Sequence, residues 1–234
     1  MAAQIDVHVE LTPHLVVPSP AADTHLAATG RSMQREALPT QKGIQSSQVA
    51  AAISQIGSPP VLSVLALTSV AALLADGRAW ALSGLFVALA VLLPLSYLIW
   101  LLRRGQVGDL DVQRREQRIR PMLFTLACGG LGWIVLALAA APRPLLALAA
   151  ALWLQMAAAF AITLRWKISV HCSAAATVAT VIGFIAGTPL LLAGVPLIAW
   201  SRLKLNRHTP AQTLAGSVLG CAISLLVLIW LFGR

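Results

Sequence analysis

The sequence predicts an all-α fold, a polytopic membrane bundle of six or seven transmembrane helices behind a disordered polar tail. Three observations predict it. Of 234 residues, 58% are hydrophobic and 11% charged, where an ordinary water-soluble domain carries about 25% charge. The apolar residues come as runs with short polar breaks between them, from Pro59 to the end. Those runs match the roughly 17–25 residues that cross the hydrocarbon of a bilayer. A chain of this length allows one compact unit plus an extension, so the division expected is a polar tail over 1–58 and a helical membrane domain over 59–234.

The elements follow in order. Met1–Ser58 is rich in Pro, Ser, Thr, Gln and Ala and holds His8, His14 and His25. It cannot bury enough apolar area to offset the entropy of ordering, which predicts disorder. Within it, Val49, Ile53 and Ile56 recur at helical spacing and predict a short surface helix over Gln45–Ile56. The tail histidines are irregularly spaced and read as solvated. No basic stretch leads an apolar core at the N-terminus, so insertion is expected to rely on internal spans rather than a cleaved signal. The spans read 59–75, 79–102, 121–141, 146–164, 170–187, 189–205 and 211–232, the first and sixth near minimum length. Pro94 and Pro196 fall inside spans, where proline kinks a helix and turns carbonyls toward protein neighbours. Trp80, Trp100, Trp166, Trp200 and Trp230 stand at span ends, the interfacial position that indoles prefer. Trp133 and Trp153 lie mid-span and read as packing residues. So do Cys128, Cys172 and Cys221, which have neither disulfide nor zinc spacing.

Alternating spans divide the charge unevenly. One side collects Arg31, Arg35, Lys42, Arg103, Arg104, Arg114, Arg115, Arg118, Arg120, Arg165, Lys167, Arg202, Lys204 and Arg207; the other holds Arg78, Arg143 and Arg234. Basic residues gather on the cytoplasmic side of membrane proteins, so the basic side is expected in the cytoplasm of a multi-pass cell-membrane protein. The excess of 17 Lys and Arg over 8 Asp and Glu does not point to nucleic acid, because too little polar surface remains to build a solvated basic face.

Groups able to do chemistry are scarce, which makes their placement informative. Beyond the tail there are two histidines, His171 and His208, at the lips of different helices on the basic side. Near them in the sequence stand Lys167, Ser169, Arg202 and the arginine-rich 114–120 run. Arg103, Arg104, Arg165, Lys204 and Arg207 read as anchors that reach for interfacial water. Histidine and serine gain nothing from anchoring. Cations converging with a hydroxyl make a cradle for phosphoryl oxygens. One histidine can attack phosphorus and the other can protonate the departing oxygen. With no acidic cluster near the histidines to hold magnesium, no metal and no cofactor are expected.

Three segments resemble the signature of the type-2 phosphatidic acid phosphatase superfamily, which includes vanadium haloperoxidases: K-x6-R-P, P-S-G-H and S-R-x5-H-x3-D. Ser201-Arg202-Leu203-Lys204-Leu205-Asn206-Arg207-His208-Thr209-Pro210-Ala211-Gln212 reads S-R-x5-H-x3-Q. Ile168-Ser169-Val170-His171 keeps the serine and histidine of the second block, and Arg120-Pro121 the end of the first, with Gln113 where lysine is expected. The resemblance covers roughly Arg114 to the C-terminus. It implies His208 as nucleophile and His171 as general acid. Arg202, Ser169 and Arg120 would hold phosphate, with Arg114, Arg118 or Lys167 in place of the lysine. Arg114 and Arg118, four apart, are expected on one helix face. Asp111 and Glu116 read as balancing the arginine run, and the whole 109–120 stretch reads equally as a solvated loop.

Two departures matter. Gln212 stands where the family has aspartate; an amide can orient the nucleophilic imidazole but brings no counter-charge. Val170 replaces glycine and removes backbone freedom close to the phosphate. The function implied is a metal-independent lipid phosphatase working through phosphohistidine. Its candidate substrates are phosphatidate, phosphatidylglycerol phosphate and polyprenyl phosphates or diphosphates, and its partners the lipid phosphate and the bilayer. The alternative is an impaired homologue that binds anionic lipid headgroups or serves in assembly. A transporter would gather polar groups near the midplane instead, and a CDP-alcohol phosphotransferase would need spaced aspartates on a helix. The oligomeric state is left open.

Overall fold

The structure, a computed structural model, describes residues 41–112 and 114–233. Residues 1–40 of the tail expected over 1–58, and the lysine-equivalent position Gln113, lie outside the described residues. Within them the fold is helical, with no strand. The elements are α1 (Gln41–Ile56), α2 (Pro59–Leu74), α3 (Gly77–Val87), α4 (Leu93–Arg103), α5 (Arg115–Leu138), α6 (Arg143–Thr163), α7 (Val170–Ile185), α8 (Gly194–Lys204) and α9 (Pro210–Phe232). A five-residue π-helical turn, Ala88–Leu92, joins α3 to α4.

Among the described residues, four stretches are long and apolar enough to cross a membrane: the continuous Gly77–Arg103 rod, Glu116–Leu138, Arg143–Thr163 and Pro210–Phe232. A fifth is added if α1 and α2, bent by 50° at their junction, count as one. The remaining predicted spans are shorter helices. α7 has 16 residues, about 24 Å of helix against a hydrocarbon thickness of about 30 Å. It has little need to match that thickness, because α2, α6, α8 and α9 all pack against it. The predicted 189–205 span resolves into a 3₁₀ turn, Leu190–Ala193, followed by α8. Pro196 therefore sits in a first turn, where its missing N–H has no helical acceptor to abandon. Pro94 lies inside the rod, which stays continuous, and a π turn at Ala88–Leu92 stands just before it.

Part of the segment assigned to the tail is structured. The surface helix expected at 45–56 begins at Gln41 and packs on α8, burying Ala50 and Ser54. A helix with one covered face gains from burial what its composition alone does not supply.

The seam between α7 and α9 is made of small residues. A Cβ at Gly216 would strike the carbonyl oxygen of Ser169, and one at Gly220 that of Ser173. The two helices thus meet main chain to main chain, as small residues permit in membranes. The five end-of-span tryptophans are all 40–54% exposed. Trp133 and Trp153 stack inside, with ring centroids 6.3 Å apart.

Candidate active site at the converging helix ends

The 104–114 connection, the 164–169 connection and the 205–209 turn meet at one end of the bundle. Side-chain bonds across them fix the meeting. Arg118, early in α5, donates from Nε to the carbonyl of Val112 at 2.7 Å and from Nη1 to that of Ile168 at 3.4 Å. Lys167 Nζ donates to the carbonyl of Arg207 at 2.8 Å.

Ser169 is the N-cap of α7: its backbone is extended and its hydroxyl accepts from the N–H of Cys172 at 3.4 Å. Its own N–H donates to the carbonyl of Gln212 at 3.2 Å, tying the start of α7 to the first turn of α9. This cap delivers His171 into the interior. His171 Nε2 lies 3.5 Å from Arg202 Nη1. A guanidinium only donates, so Nε2 is the acceptor and the neutral ring carries its proton on Nδ1.

Arg202, in the last turn of α8, is 1% exposed. Its Nη1 donates to Ser54 Oγ at 2.6 Å and to Asp111 Oδ2 at 3.0 Å, while Nε has no partner among the described residues. Asp111 also comes within 3.8 Å of His171 Nε2 and 3.9 Å of Arg207 Nε. Burial pulls the Asp111 carboxyl up, but Arg202 and Arg207 outweigh it and hold the group below the ordinary carboxylate range. Asp111 is thus an internal anion in the cation cradle, where the sequence reading gave it only charge balance. The backbone beside it is strained, with Val112 at φ 45°, a conformation β-branched residues rarely adopt.

His208 occupies the α8–α9 turn just before the N-cap of α9. Thr209 and Gln212 form a capping box, Thr209 Oγ accepting from Gln212 N and Gln212 Oε1 from Thr209 N at 3.2 Å. The same Oε1 accepts a hydrogen bond from His208 Nδ1–H at 3.1 Å, which leaves Nε2 with a free lone pair. Gln212 therefore orients the imidazole as the sequence anticipates. Burial, then the charges of Arg118 and Arg202, push His208 down to about 3; at neutral pH it is uncharged. The unfolded chain, near 6.5, takes up the proton first, so this group's contribution is intact above about 6.5 and is lost as pH falls toward 3. His208→Gln is expected to flatten that part of the stability curve, measured as thermal midpoints through the acid range.

The other predicted ligands are placed differently. Arg120 is exposed, 3.5 Å from Gln106 Oε1. Arg114 is the extended N-cap residue of α5, so it does not share a helix face with Arg118. Lys167 is held by its backbone acceptor. The hydroxyl of Ser169 serves the cap of α7. Arg104 lies 5.0 Å above the ring of Trp100, in keeping with its anchor reading.

A cavity of about 220 Å³ opens from this cluster into the bundle. Asp111, Arg118, His171 and His208 line its polar end, and Phe86, Val91, Leu95, Met122, Leu152 and Trp153 are among its apolar walls. Arg202 stands behind Asp111 and His171 rather than on the cavity surface. Gln155, buried in mid-α6, also lines it and accepts a hydrogen bond from Ser173; the sequence reading passes over this pair. Among the described residues, no three His, Cys, Asp or Glu side chains gather at metal-binding range. Compared with known proteins, the chain matches no family model, no curated protein and no solved structure.

Proposed function

We propose that the protein is an integral membrane phosphohydrolase that cleaves a lipid phosphomonoester or diphosphate through a phosphohistidine. One observation carries the reading: His171, His208 and Arg118, from separate elements, line the polar end of an apolar cavity, with the Arg202 guanidinium directly behind His171. An amphiphile with an anionic head fits that polarity. The resemblance to type-2 phosphatidic acid phosphatases assigns the roles.

The incoming phosphate takes the place of the Asp111 carboxylate beside Arg202, an exchange of one anion for another. Its charge favours the protonated form of His171. His208 Nε2 attacks phosphorus, the bond from phosphorus to the leaving oxygen breaks, and His171 gives that oxygen its proton. Water then attacks the phosphohistidine, its proton passing to His171, and free phosphate leaves. Arg118 and Arg202 balance the charge on the equatorial oxygens. The crossing count that goes with this reading is six or seven, with α7 and α8 as short passes, and the site faces the cytoplasm. Labelling a cysteine placed in the 103–120 loop in intact cells tests the sidedness, protection from an impermeant reagent being expected.

A second reading has its own support. Asp111 fills the cradle and Gln212 lacks a carboxylate, as suits a descendant that binds anionic headgroups or serves in assembly without turnover. A phosphate-release assay on phosphatidate, phosphatidylglycerol phosphate and polyprenyl phosphates and diphosphates, with EDTA present, separates the two. Release from at least one substrate is expected. Purified protein that retains phospholipid yet hydrolyses none supports the second reading.

A further inference from the structure

We propose that the cavity behind the histidines is a binding tunnel for one hydrocarbon chain, which makes the preferred ligand a single-chain alkyl or prenyl phosphate. The headgroup half of this inference rests on the phosphohydrolase reading; the tail half rests on how the cavity is built.

Its walls are shaped by three local departures from regular packing. The π turn Ala88–Leu92 and the proline after it put Ala90, Val91, Pro94 and Leu95 on one wall. Such turns are frequent at functional sites. On the facing side, Gly129 and Gly130 leave room for the indole of Trp153, where a Cβ would come within 3.2 Å of the ring in either case. Gly132 does the same for Phe86, at 3.0 Å. Two large aromatic rings are thus seated on glycines and still leave open volume beside them. Three separate local devices keep the same space open against close packing, which points to a binding site.

The chemistry of the lining selects that occupant. Several polar groups along the tunnel are turned to partners in the protein: Trp153 Nε1 donates to the carbonyl of Leu126 at 3.1 Å, Thr125 Oγ1 to that of Pro121 at 2.8 Å, and Gln155 Oε1 accepts from Ser173. Ser63 and the Gln155 amide are the polar exceptions in a passage whose walls are otherwise apolar, while its mouth carries Arg118, Asp111 and two imidazoles. At about 220 Å³ it falls below the roughly 300 Å³ at which pockets begin to take drug-sized ligands. One extended chain fits; a two-chain lipid leaves its second chain outside.

The test uses the full chain reconstituted in phosphatidylcholine nanodiscs, with bromine as a short-range quencher of indole fluorescence. Titrated 12-bromododecyl phosphate is expected to quench saturably, with most of the saturable signal lost in Trp153→Phe. Ala90→Phe, which fills the tunnel, should weaken binding at least tenfold, and Met156→Phe serves where that variant misfolds. Quenching that does not depend on Trp153, plugging variants that bind as tightly as the parent, or a two-chain brominated phosphatidate that quenches Trp153 equally well would each overturn the tunnel. Bromododecanol binding as tightly as the phosphate would overturn the anionic-head preference. Phosphate release with no Trp153 quenching sinks this inference and spares the hydrolase; saturable quenching without release does the reverse.

Discussion

Alanine at position 208 is expected to bring phosphate release to background, a loss on the order of 10⁴–10⁶-fold, with the fold intact. The imidazole makes one side-chain hydrogen bond, from Nδ1 to Gln212 Oε1, and Gln212 keeps its capping bond to Thr209 without it. Little structure is therefore lost. What disappears is the free Nε2 lone pair at the mouth of the cavity. His171 cannot replace it, because its Nε2 faces Arg202 and Asp111. Rapid quenching of the wild-type enzyme with labelled substrate should trap a protein-bound phosphate that is labile in acid and stable in base, absent from His208→Ala. Unchanged release from that variant would remove the phosphohistidine route altogether.

Arg202→Ala should damage fold and activity together. The guanidinium holds Ser54 of α1, Asp111 of the 104–114 connection and His171 of α7, so one side chain joins three parts of the molecule. Stripping one partner from a buried ion pair costs about 3–5 kcal/mol. Asp111 keeps 23% of its side chain exposed, which places the expected loss near the lower end of that range. Asp111→Asn separates the two effects. It removes the carboxylate that competes for the guanidinium while leaving Arg202 in place. A modest fall in thermal midpoint is expected, with a lower KM and stronger inhibition by inorganic phosphate. A higher KM would mean that the carboxylate assists substrate binding rather than opposing it.

Much of this was legible in the residues, for reasons that also explain the remainder. Apolar runs and interfacial tryptophans locate helices because the bilayer acts on each stretch independently of the others. α7 and α8 escape that rule, since packing against neighbours relaxes the length a lipid-facing helix must have. That His171 and Arg202 belong to one end of the bundle was readable from span alternation, which puts both at helix ends on the basic side; their contact was not. Asp111 was not readable. Its partner Arg202 is 91 positions away, and Ser54 is 148 away from the same guanidinium; nothing local signals either contact. Arg114 and Arg120 were misjudged through helix phase: α5 starts one residue after Arg114, and Arg118 is the one turned inward.

The glycine seam has a mechanical consequence. Where one backbone lies directly on another, neither rod can roll or slide by a turn without collision, so the gap between the two imidazoles behaves as a fixed gauge.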